Sequence, residues 1–504
     1  MRNHPDDVVA SALDAVPSLP GLAPDAAFEA IDVAAPTGGV PSGDPAGRPA
    51  WWDDVHTRAA SVPAHDVFPT VDELHEAFVG LESRSGGLVT SRRIGTSRLG
   101  EAIECFTVAG GPRQMVVVGG VHPNEPIGSL TAVRLVEDLL QDPALRDRLD
   151  ATWHVVPCID PDGMRLNEGW LHGPFDRGHY GREFYRPPAD EQVEWTFPVA
   201  YKDLYFDAML PETLALKRLL DDTRPELLVT LHNAEMGGAY YYLSRPLPGV
   251  YDALHSLPAS RGVPLHLGEP EVPFNPVYAP AVFGGITRAD GYEFLVGLGL
   301  DPTPPHSGGE SSGHYAQRYG TVSFVCELPY WSHAAAGDAT PSDEPYRDLV
   351  VRAARALDAT TGLLLDVLAE VDPELPAASP FVRASRAFLP DLAGAAQAEL
   401  RRAEHVADDR MATVAEQVTA VDQDTAVRLR FGGMLLRALD GVVVSGTATA
   451  GARRAHARLA ETYAAWVAEA DAERLETIPI ADLVGIQYAT VLATAYALQD
   501  EARA

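Results

Sequence analysis

Four residues suited to hydrolytic chemistry stand at or just beyond the ends of apolar runs in this 504-residue chain. His122 and Glu125 follow "QMVVVGGV" (114–121), His232 closes "ELLVTLH" (226–232), and Glu327 comes at the end of "TVSFVCEL" (321–328). Two histidines and one carboxylate make a catalytic zinc ligand set with a position left for water. Bound zinc lowers the pKa of that water and polarises a carbonyl. A further carboxylate outside the ligand set would then take the proton, and Glu327 is available for that. Along an alternating strand, Ser323, Val325 and Glu327 share one face, so Cys326 points the other way and reads as core.

The elements that must position these residues alternate. "AIECFTVAG" (102–110), 114–121, "ATWHVVPCI" (151–159), 226–232 and 321–328 read as strands; "GSLTAVRLVEDLLQD" (128–142) and "PETLALKRLLDDT" (211–223) read as helices. Such alternation predicts an α/β sheet with helices on both faces, and the nearly all-apolar strands agree with a sheet covered on both sides. In open α/β sheets ligands bind outside the carboxyl ends of strands. That rule brings His122, Glu125, His232, Glu327 and the "DPDGMRLN" loop (160–167, with Arg165) to one edge. Residues 1–62 are rich in Pro, Gly and Ala and read as an extension, 63–372 as the α/β domain, and 373–504 as an Ala-rich α-helical region.

Composition narrows the partners. Lys and Arg number 39 against 71 Asp and Glu, a formal charge of −32, which argues against a general basic surface for nucleic acid or anionic membrane. The three cysteines, Cys105, Cys158 and Cys326, are widely spaced and imply neither a disulfide framework nor a thiolate metal site. The first residues lack a basic head followed by an apolar core, and no run of about 18 consecutive apolar residues occurs. The expectation is a cytoplasmic protein with no membrane span.

In order along the chain, "RRIGTSRLGEAIECFTV" (92–108), "GGVHPNEPIG", "DPDGMRLN", "RPELLVTLH" and "SGGESSGHYAQRYGTVSFVCEL" (307–328) resemble motifs of the M14-type zinc carboxypeptidases, the carboxypeptidase A-like metallopeptidases. The resemblance covers roughly 65–372. It implies a mixed, largely parallel twisted sheet flanked by helices, and one zinc ion per chain held by His122, Glu125 and His232. It also implies Glu327 as general base and later proton donor, and Arg165 as the arginine that polarises the scissile carbonyl. The substrate-gripping part departs from the family pattern. In "GREFYRPP" (181–188) Arg186 fills the carboxylate-binding role, Tyr185 stands where the family has asparagine, and Arg182 is a fallback. The stretch before "SGG" holds no tyrosine, which leaves His306 or Tyr315 to cap the site.

"HNAE" (232–235) is a second H-x-x-E, so Glu235 is a rival ligand ranked below Glu125. Glu310 lies near the position that sets the family's pocket floor. The leading expectation is a metallocarboxypeptidase acting on a peptide. The alternatives are a zinc deacylase of N-acyl amino acids, of the succinylglutamate desuccinylase and aspartoacylase type, and a zinc-binding scaffold. The Ala-rich helices of 373–504 offer a surface for homo-oligomerisation.

Overall fold

The computed structural model describes residues 48–406, 410–473 and 475–504. Its centre is a nine-stranded mixed sheet. The strands are β1 (Val89–Thr96), β2 (Ala102–Val108), β3 (Arg113–Val118), β4 (Ala151–Val156), β5 (Leu227–Leu231), β6 (Tyr240–Leu243), β7 (Val277–Ala279), β8 (Val282–Gly284) and β9 (Val322–Glu327). In space they run β1-β2-β4-β3-β5-β9-β6-β8-β7. The middle block β4-β3-β5-β9 is parallel throughout, and antiparallel pairs flank it on both sides.

Register decides what shares an edge. Val118 pairs with Val156 on one side and Thr230 on the other, and Cys326 pairs with Leu231. The chain therefore leaves β3, β5 and β9 at nearly the same height, and residues 122–125, 232 and 327 follow there.

Alternation along these strands feeds two cores. Met115, Val117, Leu227 and Val229 face one core, and Val116, Val118 and Leu228 the other. Helix α3 (Ile127–Gln141) packs in the first, and α4 (Pro211–Thr223), through Leu216 and Leu219, in the second. Upstream lie α1 (Trp52–Ala60) and α2 (Val71–Arg84), the latter started by a Thr70–Glu73 capping box. Helix α5 (Pro248–Ser260) follows β6.

From Tyr346 onward the chain is mainly helical: α6 (Tyr346–Val371), α7 (Pro380–Ala403), α8 (Val414–Val444), α9 (Ala450–Ala472) and α10 (Ile480–Arg503). Helix α6 packs on α7 and α8, while α10 returns to the sheet and lies against α1, α3 and α5. By length and composition α10 could cross a membrane, yet 89% of its apolar window is buried inside the protein; a helix apolar all round is at home in a core. Helix α8 crosses the short helix Arg177–Glu183 so closely that a Cβ on Gly433 would lie 2.0 Å from the Gly181 carbonyl oxygen.

Within the 1–62 stretch, the part from residue 51 onward packs on the rest of the chain. Trp52, Val55 and Ala59 are buried on α1, and the Trp51 indole donates to Asp500 at the end of α10 over 3.0 Å. The rest of the 1–62 stretch, residues 1–47, lies outside the described residues.

Candidate metal centre and catalytic site

Two glycines turn the chain out of β3. The Gly119 amide donates to the Val156 carbonyl at 2.8 Å, and Gly120 takes φ +63°, a left-handed conformation that a side chain would strain. Within two residues the chain reaches His122.

His122, Glu125 and His232 converge. The two imidazole Nδ1 atoms are 3.0 Å apart, and the Glu125 carboxylate lies 3.1 Å from Nδ1 of His122 and 3.2 Å from Nδ1 of His232. All three side chains are buried, and they form the group able to hold a metal ion among the described residues. Metal bonds of 2.0–2.1 Å in a tetrahedron put neighbouring ligand atoms about 3.3 Å apart. The observed spacings of 3.0–3.2 Å fit zinc with little movement.

Neighbouring elements fix the ligands. The Asn233 amide donates to Glu125 at 3.2 Å, and its side-chain oxygen accepts from the amide of Ile127, the first residue of α3. Gln487 of α10 donates to the carbonyls of His232 at 2.8 Å and Cys326 at 3.2 Å. One buried amide thus ties together the two strand ends that carry His232 and Glu327.

The electrostatics separate the ligands. Burial, reinforced by Arg186, pushes His122 down to about 3, so it is neutral and ready for a metal. Burial also opposes a charge on His232, but the hydrogen bond with Glu125 and the charge of Glu327 outweigh it and push that imidazole up to about 9. Burial likewise opposes ionisation of Glu125, yet His122, His232 and Arg186 hold it well below the ordinary carboxylate range. Glu327 lies 3.6 Å from Nδ1 of His232, and burial raises its carboxyl well above the usual value. A carboxyl kept basic beside a metal position is suited to proton transfer.

Not every residue singled out in the sequence reaches this place. Arg186 does, with Nη1 3.1 Å from Glu125. Arg165 does not: it donates to Glu101 at 2.7 Å and Asp72 at 2.8 Å at the surface, so it ties its loop to α2 and holds no oxyanion. Tyr185 is buried against Phe381 of α7 instead of lining the cavity. Tyr315 donates to Asp221 at 2.7 Å and packs on Phe197, and His306 faces Asp190 at 2.8 Å; neither caps the triad. Arg182 is paired with Asp440. Glu310 accepts the amides of Ser311 and Arg288. The rival Glu235 stands apart from the three ligands, 3.0 Å from Arg430.

The triad and Glu327 open onto a cavity of about 760 Å³. Its tyrosines are Tyr180, Tyr240, Tyr242 and Tyr346, none of which lies in a motif quoted above. Glu194 lines it too, accepting Ser312 Oγ at 2.9 Å, and burial pushes it up to about 6. The far wall comes from the C-terminal helices, including Leu349, Leu392, Asp422 and Arg430.

Comparison with known proteins agrees with the ligand geometry. Residues 74–244 match the zinc carboxypeptidase family, Peptidase_M14. The matched segment contains His122, Glu125 and His232 and ends before Glu327. Similar solved structures include carboxypeptidase A from Helicoverpa armigera, at 16% identity and TM-score 0.35, covering 56% of this chain and 70% of that one. A metallo-carboxypeptidase from Burkholderia cenocepacia follows at 14% identity and TM-score 0.30, covering 55% and 63%. No curated protein matches the sequence.

Proposed function

We propose that this chain is a zinc-dependent metallocarboxypeptidase that removes a C-terminal residue from a peptide. The observation that carries the reading is the convergence of His122, Glu125 and His232 at 3.0–3.2 Å with Glu327 beside them, all facing one cavity. A zinc ion held by the three ligands would supply Lewis acidity and a water of lowered pKa.

The chain's own residues do the rest. Glu327 takes the proton of the attacking water and returns it to the leaving amine, a cycle favoured by its raised basicity. Arg186, the guanidinium in contact with the triad, pairs with the substrate's terminal carboxylate. With Arg165 engaged at the surface, no second arginine is assigned to the carbonyl oxygen.

Glu327→Gln tests this directly. It keeps the shape and removes the base, so turnover of a susceptible peptide should fall at least about a thousandfold, with zinc content unchanged. Full activity in the zinc-loaded variant would rule the mechanism out.

A second reading has one observation in its favour. The C-terminal helices bound the cavity, which suits a small N-acyl amino acid as well as a peptide end. Comparing rates on a blocked dipeptide and the matching N-acyl amino acid separates the two.

A further inference from the structure

Between α5 and β7, residues 266–276 form neither helix nor strand, and residues 269–273 all line the cavity. The segment is fastened on both sides. On the sheet side, the hydroxyls of Tyr240 and Tyr242 donate to the two carboxylate oxygens of Glu271, each at 3.0 Å. Tyr240 stands opposite Glu327 across the β6–β9 pair. On the helical side, Nη2 of Arg402, near the end of α7, donates to Glu269 at 3.1 Å and Nη1 to the Tyr346 hydroxyl at 2.9 Å. Tyr346, the first residue of α6, donates to Glu269 in turn. A Cβ on Gly268 would lie 2.0 Å from Oγ1 of Thr419 on α8. The segment therefore bridges from the strand beside Glu327 to three C-terminal helices.

This bridge limits the room in front of the metal ligands. A sphere of the cavity's volume, about 760 Å³, is about 11 Å across, the length of about three extended residues. That is the size of a small-molecule site. The helical wall is closed as well: Leu349 and Val350 of α6 and Val427 of α8 line the cavity and are 3%, 5% and 7% exposed. Nor is the bridge free to swing aside. Arg402 is buried, and removing one partner of a buried ion pair strands the other.

We propose that residues 266–276, strapped to the C-terminal helices through Glu269 and Arg402, roof the cavity and restrict hydrolysis to short peptides of about two to four residues. The inference rests on the peptidase reading given above and adds the substrate class: peptide fragments, as opposed to the C-termini of long or folded chains. Glu269 and Arg402 are positioning residues, acting through the place they give the segment.

The experiment is a length series on the zinc-loaded whole chain. N-acetylated alanine peptides of three and ten residues, each made with an alanine, phenylalanine, lysine or glutamate end, are compared for release of the last residue. For the ends that are released, kcat/KM of the ten-residue peptide should be at least about tenfold below that of the three-residue one. Arg402→Met should bring the two within about threefold and speed amide exchange over 266–276. Glu269→Gln gives the same reading if that variant folds poorly, and loss of active protein cancels because a ratio of rates is read. A wild-type profile flat with length, or one that stays steep in a variant whose 266–276 amides exchange faster, would overturn the roof and leave the peptidase reading standing. Exchange unchanged in both variants would overturn the strap and the proposal with it. Release from no peptide of either length would remove the peptidase reading and the length limit together.

Discussion

At the scale of the residue, His232 is where proton and metal compete. Its pKa of about 9 in the folded protein lies above the ordinary imidazole value because Glu125 and Glu327 favour the charged form. A metal must therefore displace a proton at neutral pH, whereas His122, at about 3, has none to lose. Apparent zinc affinity should rise about tenfold per pH unit between pH 7 and 9 and level off above. Calorimetry at pH 7 in buffers of different ionisation enthalpy should count close to one proton released per zinc; none released would contradict the assignment. The arginines make an opposed pair. Arg186→Ala should raise KM roughly 10- to 100-fold with a smaller change in kcat, as expected on losing a carboxylate anchor. A fall in kcat at constant KM would assign Arg186 to the reacting carbonyl instead. Arg165→Ala should leave kcat/KM within about threefold, because its partners Glu101 and Asp72 are at the surface. Steady-state kinetics on one peptide decides both.

At the scale of the element, the site depends on a helix more than 150 residues away in sequence. Gln487 of α10 is fully buried and satisfies the carbonyls of His232 and Cys326. Gln487→Leu would strand both acceptors, at a cost of about 1–3 kcal/mol, and loosen the strand ends beneath a ligand and the base. A lower melting temperature with weaker zinc binding is expected; no change in either would mean that the strands hold their own ends. Part of this was legible. His122, Glu125, His232 and Glu327 could be picked out because side chains able to bind a metal or take a proton are few in type and these stand at the ends of rigid strands. Gln487 carried a signal as well, a lone amide in the apolar run "DLVGIQYATVLATAYAL". Arg165 and Tyr315 carried a false one. A residue's neighbours in sequence do not reveal that Glu101 and Asp72, or Asp221, will meet it first.

At the scale of the whole molecule, the C-terminal helices pack on the sheet and line the cavity that the metal-binding group faces. Helix α10 closes the sheet's hydrophobic face with α1 and α3, and α6 to α8 wall the cavity. A chain ending at residue 372 would expose that face and should be recovered insoluble; a soluble, zinc-binding fragment would show the helices to be dispensable. The Ala-rich spacing of 373–504 announced helices but not where they dock, since docking depends on close approaches such as Gly433 on Gly181. The same distance hid Glu194, Tyr180 and Asp422, which come to line one cavity only once the chain is folded. The proposed function requires His122, Glu125 and His232 to hold zinc. Metal content by mass spectrometry on the purified protein, wild type beside His122→Ala, tests it most directly. About one zinc per chain, lost in the variant, is the predicted result. A wild-type protein that stays free of zinc when supplied with it at pH 8, or a His122→Ala variant that retains a full equivalent, would contradict it.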